Sequence, residues 1–462
     1  MSRSRALVLW GLALVPILVV VALLVVKQLH GPLVDAEDTN QYEFCGFYVG
    51  EHLRWSPLPS MAFDVDEVFY PYGTSAVFQP WVLERDLLYA LLAKLFGPGP
   101  WLALHVLLSW SVAALGSALL VHRDFGFARA SFVGFVAGFA NFYAIHKFPL
   151  QISLCPTHWT QLAMVADFVL LQRIWRGRDV GAHLVLFRAA LLFLALGQEL
   201  GYVAGLSFTS FALTAPVALV LARQRGKLKA SVIGEGLCDL AKRPVLTAAL
   251  VALLALGMFV YLPLVLGIVK AARSFGDIPS GGSWWAQPAR LLDPWLPFVH
   301  PASRAALVVF GTAEGVGEGS PGLFLVGVAV IGAVIAIRKR EIAPVLPLLL
   351  FFALAVPFHP EWFPTLKIFP WFAFHRVGGR TTLAYPILCA LLALHVDWAR
   401  LYDPPPRGTA ASARRKRLRS STGTSKNNRY RSRSPIYQRY DEYDPSPTSF
   451  VGPARQAVDG GS

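Results

Sequence analysis

The sequence is short of charged residues and of cysteines, and each shortage excludes a class of protein. Asp, Glu, Lys and Arg make up only 15% of the 462 residues, against roughly 25% in soluble domains. Together with a mean hydropathy of +0.50, this excludes an ordinary soluble enzyme. The four cysteines are too few for a disulfide-stapled scaffold, and they form no CxxC pair that would predict a zinc site.

The apolar residues are concentrated in stretches of about 15–25 residues, the length at which a helix crosses a bilayer. The first stretch follows Arg3 and Arg5 and is expected to be a retained signal-anchor helix that starts in the cytoplasm. With every short basic loop placed inside, the chain is predicted to be an all-α polytopic membrane protein with about ten transmembrane helices and both termini cytoplasmic. The predicted spans are about residues 6–26, 101–121, 130–144, 161–171, 184–200, 202–221, 245–269, 323–337, 344–356 and 381–395.

One further apolar stretch is too short to cross. Residues 84–96 are amphipathic and are closed by the Gly-Pro-Gly-Pro run at 97–100. We expect this segment to form a helix that lies along the outer membrane interface.

Charge is unevenly distributed between the loops of the predicted transmembrane domain (1–398) and the tail that follows it. Long outer loops are expected at about 28–82, 270–321 and 358–380, and the first holds eight acids and one arginine, a net charge of 1 − 8 = −7. The tail, 399–462, is predicted to be disordered and cytoplasmic because it is rich in Ser, Pro and Arg and has no apolar periodicity. From Asp403 it holds twelve basic and five acidic residues, so it supplies 12 − 5 = +7 of the total +14. Membrane topology therefore explains the charge, and we expect the tail to meet anionic lipid, not nucleic acid.

The motifs with the clearest chemistry lie in the outer loops. The first loop contains EDTNQYEF and then FYPYGTS, and a proline precedes the interfacial segment. Later outer segments read AIHKFPLQISLCPTHW, WAQPARLLDPWLPFVHP with EGVGEGSPGLFLVG, and FPWFAFHRVGGRTTLAYP. Outer loops of this length are usually functional, so a site that faces outward is predicted.

The order of these motifs resembles the GT-C superfamily of membrane-embedded glycosyltransferases, and most closely its bacterial members that use polyprenyl-phosphate sugar donors. The resemblance covers most of residues 6–398, although the chain has fewer spans after the late loop than many relatives. It implies an enzyme of the bacterial inner (plasma) membrane. That enzyme would move a sugar from the lipid-linked donor to a lipid, glycan or protein acceptor on the outer face.

The resemblance also implies roles for outer-loop residues. An acid of the first loop would act as general base on the acceptor hydroxyl, and Asp38 is the first candidate, ahead of Asp35 and Glu37. Basic residues of the late loop would hold the donor phosphate, since arginine offers paired donors to phosphate. The phosphate candidates are Arg376 and Arg380, with Lys367 and His375 in support.

Other outer residues are candidates for contact with substrate, each with a plainer alternative. Glu199 lies near the outer end of a predicted span, where it is either functional, as ionisable residues at membrane depth usually are, or simply reaches the interface. Trp285 could stack on a sugar ring or belong to the interfacial aromatic belt. The remaining candidates are His146, Glu314 and Glu318.

Metal binding and disulfide pairing are both left open by the sequence. His146 and His158 flank an outer turn and could hold a divalent ion, but their spacing matches no strict metal motif. Hydrogen bonding at the interface is the commoner use of such histidines. Cys45 and Cys155 are both predicted to lie outside, where they could form a disulfide.

Two other functions compete with the enzyme. A flippase or transporter of lipid-linked sugars should show internal repeats and charges near the bilayer midplane. We find no convincing repeat, and the acids cluster in outer loops instead, which favours the glycosyltransferase. A non-catalytic subunit of a glycan assembly machine, with the tail as its docking arm, is the third reading.

Overall fold

The structure is a computed structural model that describes residues 39–65, 72–138, 152–227, 230–275, 321–373, 375 and 377–396. The chain divides into two units, Met1–Asp397 and Trp398–Ser462, and the second lies outside the described residues, as does the predicted first span. The described helices are α1 (Thr39–His52), α2 (Leu83–Phe96), α3 (Trp101–Phe125), α4 (Phe127–Gly138), α5 (His158–Trp175), α6 (Ala182–Leu194), α7 (Val203–Gln224), α8 (Ala230–Ala241), α9 (Pro244–Arg273), α10 (Leu323–Arg338), α11 (Ile342–Ala355) and α12 (Tyr385–Ala393).

Three of these helices are long and apolar enough to cross a membrane. They are α3 with 25 residues, α7 with 22 and α9 with 30. Membrane association and a helical fold are therefore confirmed. The apolar helices Phe127–Gly138, Ala182–Gly197, Leu323–Arg338 and Ile342–Ala355 are shorter, with 10–17 residues each, whereas a bilayer crossing takes about 20. The expectation of ten spans therefore stays a prediction.

The segment after the first outer loop is a separate helix, as predicted. The 14 residues of α2 end at Gly97, whose φ of 79° lies in the left-handed region that glycine tolerates. At its start, the Asp86 carboxylate accepts the Val82 N–H at 3.0 Å and satisfies a backbone donor that the helix leaves unpaired. Its first turn is buried, whereas Leu95 and Phe96 in its last turn are exposed.

Two short ribbons connect α1 to α2. Strand β1 (Leu53–Arg54) pairs antiparallel with β2 (Ser60–Met61), and β3 (Asp64–Val65) pairs with β4 (Thr74–Ser75). Part of the first predicted outer loop is thus ordered backbone that returns the chain to the start of α2.

The hydrophobic core is centred on α5 and α12. All nine residues of α12 are buried, and so are most of those in α5. Small residues allow neighbouring helices to approach closely, as is common between membrane helices. A Cβ at Gly134 of α4 would lie 2.7 Å from the Ala114 carbonyl oxygen of α3, and a Cβ at Gly332 of α10 would fall on the Leu392 carbonyl oxygen of α12.

Gly332→Ala should destabilise the protein by about 1–3 kcal/mol, the usual range for overpacking. The added methyl group meets backbone atoms of Leu392 and Ala393, which cannot move aside as a flexible side chain would. Gly327→Ala is the matched control on the same helix, because a Cβ there meets no atom within 4 Å. Thermal unfolding of the detergent-purified variants measures the difference, and equal midpoints for the two would contradict the packing of α10 on α12.

Polar contacts join the carboxyl ends of α3 and α5 to each other and to the amino end of α11. Arg173 at the end of α5 donates to Asp124 at the end of α3 over 2.8 Å. Arg176 lies 3.6 Å from Glu341, the residue before α11. The carboxyl ends of α3 and α5 therefore meet the amino end of α11, at loops that the charge pattern predicts to be cytoplasmic.

Candidate functional site

Four of the nine residues proposed from the sequence for the donor phosphate and the substrate lie at or beside one turn. The turn joins α6 to α7 and carries Glu199, and the late loop packs on it with His375, Arg380 and, beside them, Lys367. The remaining candidates lie outside the described residues; they are Asp35, Glu37, Asp38, His146, Trp285, Glu314, Glu318 and Arg376.

Glu199 caps the amino end of α7. Its carboxylate accepts the backbone N–H groups of Gly201 at 3.0 Å, Tyr202 at 2.7 Å and Val203 at 3.2 Å. These are amide groups that the start of a helix leaves without an intrahelical partner, and the positive end of the helix dipole also favours a carboxylate there. Glu199 therefore has a structural role that its sequence position did not reveal, and it sets the conformation of the turn.

Tyr202 links this turn to the late loop. Its hydroxyl accepts the Val377 N–H at 3.2 Å. The Arg380 guanidinium lies over its ring, 4.5 Å from the centroid, which is within the range of a cation–π contact. The His375 ring packs edge-on against it, with centroids 4.2 Å apart. Tyr202 thus positions both late-loop candidates, although the sequence analysis did not single it out.

A second contact holds the late loop against α7. The indole N–H of Trp371 donates to the Thr209 hydroxyl at 2.9 Å. The loop is therefore attached to α7 at two levels, by Trp371 and by Tyr202, so that the relative positions of its basic residues are set by a helix and not by the loop alone.

His375 is buried between the rings of Tyr202 and Phe372. Burial, and then the positive charges of Arg380 and Lys367, hold the pKa of its imidazole well below the usual value, so the ring is neutral at physiological pH. Its Nε2 has no hydrogen-bond partner among the described residues. His375 can therefore meet a phosphate by hydrogen bonding but not by charge.

The charges at the turn balance in favour of an anion. Burial raises the pKa of the Glu199 carboxyl, against the opposing effects of Arg380 and the three backbone hydrogen bonds. Half-buried Arg380 acts on both the Glu199 carboxyl and the His375 imidazole, whereas exposed Lys367 acts on His375. With Glu199 ionised, the formal sum of these groups is 2 − 1 = +1. An arginine that is oriented by an aromatic ring can bind a phosphate oxygen pair.

A second set of polar side chains is connected to the same turn through the residue before Glu199. Gln198, which precedes Glu199, contacts His158 at the start of α5, and His158 lies 3.2 Å from the Glu84 carboxylate at the start of α2. The indole N–H of Trp159 donates to Glu84 at 2.8 Å. Glu84 was predicted only to begin the interfacial helix. The sequence signal that could have singled out Glu84 is its position as an acid directly after the apolar run Trp81-Val82-Leu83.

The sequence left a metal site and a disulfide open. Within the described ranges no three His, Cys, Asp or Glu side chains are arranged to hold a metal ion; His158 is engaged by Glu84 and Gln198, and His146 lies outside those ranges. The possible disulfide between Cys45 and Cys155 is not formed, and both side chains are buried. Burial, with the nearby Asp86 carboxylate, raises the pKa of the Cys45 thiol well above its usual value, so it is not a reactive thiolate.

Comparison with known proteins adds no further assignment. No family model, no curated protein and no solved structure matches this chain.

Proposed function

We propose that the protein is a membrane glycosyltransferase that takes a sugar from a polyprenyl-phosphate donor and passes it to an acceptor on the outer face. The observation that supports this best is the meeting of Arg380, Lys367 and His375 on the turn capped by Glu199. Basic side chains of the late loop, held against a turn at the end of apolar helices, fit a lipid-linked phosphate, whose charge lies at headgroup depth.

The reaction that this site would serve breaks the bond between the anomeric carbon and phosphate. The phosphate leaves with the bonding electrons, and a fixed cation stabilises that charge as it develops. Arg380 fills this role, with Lys367 at the exposed side and Arg376 as the further candidate.

Asp38 is the proposed general base, which takes the proton of the acceptor hydroxyl while that oxygen bonds to the anomeric carbon. In sequence it directly precedes Thr39, where α1 begins. The first turn of α1 contacts the first turn of α2, since the Arg85 guanidinium lies 4.9 Å from the Tyr42 ring centroid. Because α2 in turn reaches the donor turn through Glu84, His158 and Gln198, the position of Asp38 in the chain is compatible with a role near it.

The membrane topology belongs to the same proposal. A bacterial inner-membrane protein with about ten spans and both termini cytoplasmic places the Glu199 turn and the late loop outside, where lipid-linked sugars are used. The clustering of Arg173 and Arg176 at the opposite helix ends supports that orientation.

Arg380→Ala should raise the apparent KM for the lipid-phosphate donor about 10–100-fold, because a hydrogen bond to a charged group contributes about 1.5–3 kcal/mol. Arg380→Lys should lie in between, since lysine keeps the charge but loses the paired donors. Initial rates in proteoliposomes with a radiolabelled donor give these values. Arg54→Ala, an exposed outer-loop arginine, is the matched control, and an unchanged donor KM in Arg380→Ala would refute the phosphate assignment.

Glycan analysis of a deletion strain separates transfer from flipping. Mass spectrometry of outer-surface glycans and of lipid-linked sugars should show the loss of one sugar from a product, together with unconsumed donor. Accumulation of a complete lipid-linked sugar on the inner leaflet would instead identify a flippase.

A further inference from the structure

We propose that Glu84 at the start of α2 is the anchor of a second subsite, next to the Glu199 turn, which binds hydroxyl groups of the acceptor sugar. This inference rests on the proposed function, whose acceptor would occupy the subsite. The polar residues that form it are Glu84, His105, His158, Trp159 and Gln198.

The hydrogen bonds of Gln198 determine the orientation of the whole group. Its Oε1 accepts from the Thr160 backbone N–H at 3.1 Å and from the Thr160 hydroxyl at 2.7 Å. Its amide nitrogen therefore faces the other way and donates to the Pro156 carbonyl at 2.9 Å and towards His158 Nδ1 at 3.4 Å. A donor at Nδ1 places the proton of a neutral imidazole on Nε2.

That proton points at Glu84. His158 Nε2 donates to Glu84 Oε1 at 3.2 Å, and Trp159 donates to Oε2 at 2.8 Å. Burial by itself raises the pKa of the Glu84 carboxyl, but the neighbouring His158, His105 and Trp159 side chains together lower it below the usual value. Glu84 is therefore an ionised carboxylate that is held in one orientation by two rigid ring donors.

The carboxylate retains room for a ligand. An ionised carboxylate offers about four acceptor positions, and two are occupied by described residues. The Glu84 side chain is 22% exposed, whereas that of His158 is 1% exposed, so solvent reaches part of Glu84 but not the imidazole that holds it. A pair of neighbouring sugar hydroxyls presents two donors at the spacing of the two carboxylate oxygens, and Trp159 adds an apolar ring beside them.

His105 supplies the second, independent indication of a ligand. It is 2% exposed, and neither of its ring nitrogens has a hydrogen-bond partner among the described residues. Its ring packs edge-on against His158 with centroids 6.4 Å apart. Leaving both nitrogens of a buried imidazole unpaired costs stability. A hydroxyl both donates and accepts, so a polyol beside Glu84 would satisfy His105 where a purely anionic ligand could not.

The position of the subsite fits a sugar that meets the donor. Gln198 belongs to the subsite and Glu199, the next residue, caps the turn that carries the donor cluster. The two groups are therefore connected to consecutive residues of a single turn, which suits an acceptor sugar that has to meet the donor.

Saturation-transfer NMR on the full-length protein in nanodiscs tests the subsite directly. The probes are methyl α-D-mannopyranoside, methyl β-D-galactopyranoside and methyl α-D-arabinofuranoside. Wild type should bind at least one of them, and Glu84→Gln should weaken that binding about tenfold or more, since a charged acceptor is lost. Glu51→Gln, an exposed carboxylate on α1, should bind as wild type does. Trp159→Phe, which keeps the carboxylate and removes one donor, should weaken binding about two- to tenfold and replaces Glu84→Gln if that variant unfolds.

The outcomes separate this inference from the proposed function. Failure of wild type to bind any of the glycosides, or equal binding by Glu84→Gln, overturns the subsite, even if sugar transfer is observed in proteoliposomes. Glycoside binding that depends on Glu84 in a protein that transfers no sugar upholds the subsite and refutes the transferase. In an active protein, Glu84→Gln should raise the acceptor KM about tenfold and leave the donor KM within about twofold.

Discussion

Sugar transfer should fall about 10²–10⁴-fold when Asp38 is replaced by asparagine, the range expected for the loss of a general base. The amide is nearly the same size as the carboxylate but cannot take the proton of the acceptor hydroxyl. The decrease should appear in kcat, with donor KM little changed, because Asp38 is assigned to proton transfer and not to phosphate binding. Single-turnover rates in proteoliposomes measure it.

In sequence Asp38 directly precedes α1, a position at which Asp, Asn and Ser are favoured as helix caps and cap almost equally well, so capping is the competing explanation to be tested. Asp38→Asn and Asp38→Ser should therefore unfold at the wild-type temperature while both lose activity. Asp38→Ala should lose activity and also about 1 kcal/mol of stability. Asp35→Asn and Glu37→Gln are the neighbouring controls. Full activity in Asp38→Asn, or its loss only in variants that also unfold early, would show that Asp38 is a cap and not a base.

Arg188→Met should destabilise the protein by about 3–5 kcal/mol, because it leaves the Asp167 carboxylate buried without its cation. Arg188 of α6 donates to both oxygens of Asp167 in α5, at 2.6 Å and 3.0 Å, and the Ser210 hydroxyl of α7 donates to the same carboxylate at 2.7 Å. Asp167 and Arg188 are each 4% exposed, so water cannot compensate for the lost partner. Detergent-based unfolding titrations measure the loss.

A surface arginine provides the contrast. Arg178 donates to Asp124 at 3.1 Å, but its side chain is 53% exposed, so Arg178→Ala should cost no more than about 1 kcal/mol. The double variant Asp167→Leu with Arg188→Met should recover most of the lost stability, because two apolar side chains replace a pair that had to be desolvated. Equal stability of Arg188→Met and Arg178→Ala would show that the pair does not hold α5, α6 and α7 together.

The sequence predicted the helical elements well, because apolar periodicity and turn residues act over short distances. The segment 84–96 was expected as a separate helix, and α2 covers Leu83–Phe96. The predicted span 245–269 falls within α9, which covers Pro244–Arg273. The number of spans was harder to predict. Several apolar helices are shorter than a bilayer crossing, and hydropathy alone does not say whether such a helix crosses the membrane.

The candidate site was predicted in part. Arg380 and His375 were selected from the late loop and Glu199 from a segment more than 170 residues earlier, and the structure brings them together around Tyr202. The role of Glu199 as a helix cap could not be predicted, because that depends on which backbone N–H groups its carboxylate reaches. Glu84 was missed for the same reason, since its partners His158 and Trp159 lie more than 70 residues further along the chain.

The buried pair of Asp167 and Arg188 shows what a charge pattern can miss. Each residue falls inside a predicted span, and a charge within a membrane helix is expected to be paired or functional. The positive-inside rule counts only loop charges, so neither residue was singled out. Their distance, and the hydroxyl of Ser210 beside them, follow from the packing of three helices.

What the sequence by itself determined is the class of the molecule. Low charge and long apolar stretches require a helical membrane protein, because only such stretches bury their own backbone hydrogen bonds in lipid. Local rules also predicted the end of α2 at Gly97 and the separate character of the acidic first loop. Only the tertiary structure decided which polar side chains meet. Tyr202 orients Arg380 and His375, and Gln198 orients His158 towards Glu84, because hydrogen bonds and ring contacts depend on distances that helix packing sets, whatever the separation of the residues along the chain.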